Sequence, residues 1–172
     1  MTSLLHIETS RLLLRPLVVG DAPELLRLYH DPEVVRFMRT ADVSVEEEAG
    51  NIQRHAQAYY EARGFGLLAG ILKSSNLLVG RYGLLHSTIA GVEELEISYL
   101  TDSMHRGAGL ATEAVRGLLS AAWRSGKERA VAVVLPENIA SQKVAKAAGF
   151  LFERTVEYKQ FGPVCLYARG PD

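Results

Sequence analysis

Cysteine is nearly absent, and the one present, Cys165, leaves no internal disulfide to staple the fold. It lies in an apparent strand with no activating partner beside it, so it reads as a buried, inert thiol rather than an acyl carrier. No apolar run approaches the ~18 residues of a membrane span. The start of the chain lacks the basic, apolar and cleavage-site order of a secretory leader, so a cytoplasmic protein without membrane contact is expected. Charge of either sign is not in excess. A formal net charge of −1 gives no general attraction for nucleic acid, and any anion must be held locally. The tripeptide Gly-Lys-Ser/Thr is missing, which excludes a nucleotide-triphosphate loop of that type, and no metal ligand set is assigned. Linkers, repeats and low-complexity segments are also missing. The expectation is one domain over residues 1–172, a size that buries roughly 68–70% of its unfolded surface.

What is present is a change of period along the chain. Residues Arg11 to Leu17 read as a strand. Asp21, Pro23 and Glu24 then signal a helix whose inner residues are Leu25, Leu28 and Tyr29. Asp31-Pro32 breaks it, a short helical turn over Glu33 to Met38 follows, and Ser44 with Glu47 forms a capping box. Val45, Ala49, Ile52, Ala56 and Tyr59 predict the buried stripe of a helix ending near Gly64. Carboxylates at Glu46, Glu47 and Glu48 answer the dipole of its first turn. Three antiparallel strands are then predicted, over Phe65 to Leu72, Leu77 to His86 and Leu95 to Leu100, the last two joined by a loop through Gly91. A long amphipathic helix from Leu110 to Arg124 comes next. A strand over Arg129 to Leu135 leads to a helix capped by Asn138 and stopped by Gly149, and two strands, Phe152 to Tyr158 and Val164 to Arg169, close the chain. A mixed α/β (α+β) fold follows, with a mostly antiparallel sheet of about seven strands flanked by helices.

The stretch Arg106-Gly107-Ala108-Gly109-Leu110-Ala111 lies between a strand and that long helix. Glycines at 107 and 109 let successive N–H groups turn inward, and the helix start adds its orphan N–H groups and positive dipole end. Such a loop binds anions, phosphate above all. A dinucleotide fingerprint fits poorly, since its third glycine position holds Thr112, and a plain glycine-softened turn is the structural alternative.

Arg-x-x-Gly-x-Ala between strand and helix resembles the pyrophosphate loop of the GCN5-related N-acetyltransferases (GNAT). Pro136-Glu137-Asn138-Ile139-Ala140-Ser141, closing on Ala148-Gly149-Phe150, is similar to the family's next segment. The opening Glu8-Thr9-Ser10-Arg11-Leu12-Leu13-Leu14-Arg15-Pro16, with Asp31-Pro32-Glu33-Val34, is similar to the RimJ/RimL-like branch that acetylates ribosomal-protein N-termini. The resemblance implies a sheet splayed near an acetyl-CoA site. It implies that the thioester and pantetheine arm lie along Tyr99, Leu100 and Thr101, that the pyrophosphate sits on Arg106, Gly107, Ala108, Gly109, Leu110 and Ala111, and that Asn138 helps hold the arm. Glu96 corresponds to the branch's candidate base, with His86 as rival. Many members place a Tyr acid where this chain has Ala145, and Ser141 matches a Ser thought to replace it.

An acetyl-CoA-dependent N-acetyltransferase is therefore the expectation, its acceptor a primary amine such as the α-amine of a protein N-terminus. A small-molecule amine as acceptor, or a non-catalytic acyl-CoA sensor favoured by Ala145, is the alternative. No metal is expected, and a homodimer is left open.

Overall fold

Leu12 and Leu14 point into the core while Leu13 between them is half exposed, the alternation that a strand covered on one face requires. In the computed structural model of the chain, which describes residues 4–38 and 42–171, this strand is the second of eight. The elements are β1 (Ile7–Glu8), β2 (Leu12–Pro16), α1 (Ala22–Tyr29), α2 (Pro32–Met38), α3 (Val45–His55), β3 (Leu67–Leu72), β4 (Leu77–Ile89), β5 (Val92–Thr101), α4 (Leu110–Arg124), β6 (Ala130–Val134), α5 (Ile139–Ala147), β7 (Leu151–Glu157) and β8 (Pro163–Arg169). They form one sheet in the order β1-β2-β3-β4-β5-β6-β8-β7. The extra strand relative to the expected seven is the two-residue β1.

All neighbours are antiparallel except β5 and β6, which meet in parallel at the single pair Glu96↔Val131. Beyond Glu96 the two strands diverge, which is the splay that the resemblance implies. β4 and β5 are longer than expected. Ala90 (φ 49) and Gly91 (φ 82) make a tight turn with Ile89 paired to Val92, so the anticipated loop is a two-residue hairpin.

Helix α4 buries Ala114, Val115, Leu118, Leu119 and Ala122 against one face of the sheet. On the other face, α1 and α3 pack Leu25, Leu28 and Ile52 over Ala69, Ile71 and Leu100. Two expectations need correction here. Asp21 does not cap α1 with its side chain, because its carboxylate pairs with Arg15 (2.7 Å) and takes the Val18 N–H (2.9 Å). The stripe predicted from Val45 to Tyr59 holds at Ile52, with Ala49 and Tyr59 packed against the core, and fails at its first residue. Val45 is exposed, Glu48 is buried, and a π-helical segment over Ala56–Glu61 resets the phase of the helix end. The reset aims Tyr60 at the sheet, where its hydroxyl accepts the Leu17 N–H (3.0 Å) and donates to the Leu67 carbonyl. The Ser44–Glu47 capping box is present as predicted. Cys165 is half-buried rather than fully enclosed.

Candidate active site

β5 ends at Thr101, and Asp102 turns the chain. Its buried carboxylate accepts the Met104 N–H (3.2 Å) and a bond from Arg27 (2.9 Å), with His105 Nδ1 3.6 Å away. Burial works against its charge, yet those partners hold the carboxyl below the usual range. The chain then reaches Gly107 (φ 77) and Gly109 (φ 80), both left-handed, and α4 begins at Leu110. Among the described residues, the N–H groups of Gly107 to Ala111 find no acceptor inside the chain, and they lie at the positive end of a helix of 15 residues.

The loop is pinned from a distance. Arg11 donates to the Ala108 carbonyl (2.9 Å) and to Glu113 Oε2 (2.7 Å), while Glu113 Oε1 accepts from Thr9 Oγ1 and from the Arg11 N–H, both at 2.7 Å. Burial opposes the Glu113 charge, and the bonds from Thr9 and Arg11 outweigh it and lower its pKa. Tying down the Ala108 carbonyl fixes the peptide planes on either side of it. Arg106 is itself engaged, donating to the Thr101 carbonyl (3.0 Å) and lying 3.2 Å from Asp31.

Beside this loop opens a cavity of about 460 Å³. Of the residues expected at a cofactor site, Tyr99, Leu100, Thr101, Arg106, Gly107, Gly109, Leu110, Ala111, Asn138 and Ser141 all line it. Ala108 does not, because its carbonyl is turned to Arg11. A further wall comes from α2, through Glu33, Val34, Phe37 and Met38, which pattern reading had placed only as a helical turn. Asn138 caps α5, its Oδ1 accepting the Ser141 N–H at 3.0 Å.

Ser141 and Tyr99 form a pair inside the cavity. The Tyr99 hydroxyl lies 2.9 Å from both the Ser141 carbonyl and its Oγ, and burial pushes the phenol up to about 12. A phenol that stays protonated donates to the carbonyl, so the Ser141 hydroxyl donates to the phenol oxygen. Ala145 is fully buried in the core and offers no acid.

Glu96 stands apart from this pair. It does not line the cavity, and residues 96 and 99 point to opposite faces of β5. Its Oε2 accepts from Ser87 Oγ (2.5 Å) and from the Tyr158 hydroxyl (2.9 Å). Burial raises the Tyr158 pKa, and the Glu96 charge adds to it against a bond to Lys159. His86, the rival, stacks on Phe65 with ring centres 5.8 Å apart and lies 3.7 Å from Glu93, outside the cavity.

Sequence reasoning missed the Thr9–Arg11–Glu113 clamp, the α2 wall and Tyr158. The clamp had a visible signal, since Thr9 and Arg11 fall within the opening motif. Tyr158 had none, being an aromatic just past a strand end that only the tertiary fold carries to Glu96.

An eight-stranded sheet splayed at one parallel pair, with a helix start of free N–H groups opening on the splay, is the frame of an acyl-CoA-type transferase fold. The chain matches the acetyltransferase (GNAT) domain model over residues 11–151 and belongs to that family. It is 30% identical over 147 residues to the uncharacterized N-acetyltransferase YoaA of Bacillus subtilis, covering 84% of this chain and 81% of YoaA. It is 31% identical over 144 residues to the probable N-acetyltransferase YjcK of the same organism, covering 79% of this chain and 78% of YjcK. Among solved structures, RimL, a ribosomal L7/L12 α-N-protein acetyltransferase in complex with coenzyme A, superposes with a TM-score of 0.78 at 22% identity, covering 96% of this chain and 97% of RimL.

Proposed function

We propose that this chain is an acetyl-CoA-dependent N-acetyltransferase acting on the α-amine of a protein or peptide N-terminus. The observation that carries the reading is the continuous cavity from the free N–H groups at the start of α4 to the Tyr99–Ser141 pair beside the splay. In the bound state the loop from Gly107 to Ala111 holds the pyrophosphate, and Asn138 and the edge of β5 from Tyr99 to Thr101 flank the pantetheine arm. The thioester supplies an activated acetyl carbon and a thiolate leaving group. Glu96 takes the amine's proton from the opposite face of β5, directly or through water. Ser141 turns its hydroxyl from Tyr99 to the sulfur and protonates it, taking a proton from water as it does so. Ala145 removes the family's Tyr acid and is the observation favouring a second reading, a module that binds acyl-CoA without transfer.

Thiol release from acetyl-CoA over a panel of acceptors separates these readings. The panel holds peptides with a free N-terminus, the same peptides blocked at the terminus with an internal Lys, and small amines. An α-amine of pKa about 7.7–8.0 is roughly 10–15% neutral at pH 7, against about 0.04% for a lysine near 10.4. Free N-terminal peptides should therefore react fastest. Acetyl groups found by mass spectrometry mainly on Lys side chains would overturn the α-amine assignment, and no thiol release with any acceptor would leave the sensor.

A further inference from the structure

Asp102 and His105 stand three residues apart around a 3₁₀ turn over Ser103–His105, and side chains at that spacing eclipse. The imidazole is thereby set against the buried Asp102 carboxylate, with Nδ1 3.6 Å from Oδ2. Nδ1 is itself buried and has no hydrogen-bond partner among the described residues. The side chain as a whole is 28% exposed and lines the coenzyme cavity, so its open edge is the one that carries Nε2. Nε2 also has no partner among the described residues. The ring lies two residues before Gly107, where the free N–H groups of the loop begin, and His6, His30, His55 and His86 do not line this cavity.

The two charge states of this ring offer a ligand opposite things. A neutral imidazole holds one proton and one lone pair. Burial works against the Asp102 charge, but the bonds from Arg27 and the Met104 N–H keep it. A lone pair on Nδ1 would face that carboxylate, so the neutral ring carries its proton on Nδ1 and turns the Nε2 lone pair to the cavity. A phosphate oxygen is repelled there. The imidazolium donates from both nitrogens and meets the same oxygen with an N–H. Arg27, which shares Oδ2, opposes a second positive charge at this place, as do Lys143 on α5 and Arg106, the latter offset by Asp31. Asp102 behind the ring and Glu33 on the α2 wall favour it. An arriving diphosphate adds negative charge on the Nε2 side.

We propose that His105 is a coenzyme-binding residue that takes up a proton as a pyrophosphate oxygen arrives at Nε2, so that coenzyme binding and protonation of the ring reinforce each other. This rests on the pyrophosphate lying on the loop from Gly107 to Ala111, as proposed above. Imidazole changes its charge between about pH 5 and 8, so the contact is strong at the acid end of that range and fades toward the other.

The test is direct binding to the full chain. Coenzyme A itself carries a phosphate monoester whose second ionisation falls near about 6 and would mix with that of the ring. The probe is therefore 3′-dephospho-coenzyme A, which keeps the pyrophosphate and lacks the monoester. By calorimetry its affinity should fall roughly tenfold from pH 6 to pH 8, the lower end for a charged hydrogen bond because the ring keeps part of its exposure. Titrations at pH 7 in buffers of different ionisation heat should show net proton uptake. His105→Gln, checked for its fold by circular dichroism, should bind with an affinity flat over the same range. If that variant unfolds, proton NMR of the wild type decides, since one of the five histidine Cε1–H signals should move toward its protonated position when the probe saturates. An affinity that is flat or rises with pH, net proton release, no histidine signal moving, or a slope that survives in a folded His105→Gln would overturn the proposal. A rise with pH would mark Nε2 as the acceptor of an amide N–H from the pantetheine arm. Flat binding would leave the loop assignment standing, whereas no binding at any pH would remove both.

Discussion

Arg11 and Glu113 lie 102 residues apart in the chain and are joined by two bonds of 2.7 Å, one from the Arg11 backbone N–H and one from its Nε. Through Arg11 the same carboxylate reaches the Ala108 carbonyl, so the edge of β2 sets the shape of the loop before any ligand arrives. Glu113→Ala should leave Thr9 and Arg11 without their acceptor. Because the Arg11 side chain is 46% exposed, water replaces part of the loss, and the cost is about 1–2 kcal/mol. The melting temperature should fall by a few degrees, and coenzyme A affinity should fall with it. Unchanged affinity in a folded variant would show that the loop holds its shape without the clamp.

Gly109 adopts φ 80, and a Cβ built there meets nothing closer than Arg11 Nη2 at 3.7 Å. Space inside the protein is thus available, and the penalty of Gly109→Val comes from the backbone conformation and, in the proposed binding mode, from a side chain standing where the phosphate oxygens would sit. Coenzyme A affinity should drop at least tenfold while circular dichroism stays native. Calorimetry giving wild-type affinity would reduce the loop to a structural turn.

Much of this frame was legible in the sequence because local chemistry decided it. Ser44 and Glu47 cap α3, Asn138 caps α5, Gly149 (φ 89) stops it, and the bounds of α4 follow its apolar period. The expected coenzyme residues converge on one cavity, apart from Ala108. What was not legible depends on tertiary structure. Glu96 and Tyr158 are 62 residues apart, and they meet where the connection from β7 to β8 reaches the face of β5. Of the stripe on α3, Val45 was misread, and the π-helical segment over Ala56–Glu61 that follows it changes the 3.6-residue period with no proline or glycine to announce it.

The Tyr99–Ser141 pair makes a kinetic distinction testable. Ser141→Ala removes the nearest hydroxyl proton, and kcat should fall by no more than the ~10²–10⁴-fold of one acid–base group, with coenzyme A binding nearly intact. Tyr99→Phe keeps Ser141 but frees its hydroxyl, so a smaller loss is expected. A single-turnover rate unchanged in Ser141→Ala would assign thiolate protonation to water.

His55 gives the fold an acid sensitivity. Burial first, and the nearby Arg81 charge second, lower its pKa to about 4, while an unfolded His titrates near 6.5. Between these values the unfolded chain binds more protons, so the His55 contribution is complete above about pH 6.5 and is lost progressively as pH falls toward 4. Urea unfolding at pH 7 and pH 5 should show a decline in the wild type that is smaller in His55→Gln, whose amide oxygen can still accept the Leu67 N–H. Parallel declines in both proteins would remove His55 as the source.

Glu96 has the geometry of a proton acceptor held in place. Ser87 and Tyr158 both donate to Oε2, which leaves Oε1 without a bond among the described residues and the carboxylate unable to rotate freely. In the proposed reaction an ammonium arriving on this face of β5 would meet Oε1 and give its proton there or to water. Glu96→Gln keeps the shape and removes the charge, so kcat/KM at pH 7 should fall roughly 10²-fold, the lower range for a general base. An α-amine becomes mostly neutral above about pH 8, and there the variant needs no base to prepare its substrate. The deficit of Glu96→Gln should accordingly shrink severalfold between pH 7 and pH 9, with the wild-type profile levelling near the amine's own pKa. A deficit constant across this range would make Glu96 an orienting group that holds the amine without taking its proton, and no deficit at any pH would remove it from the reaction.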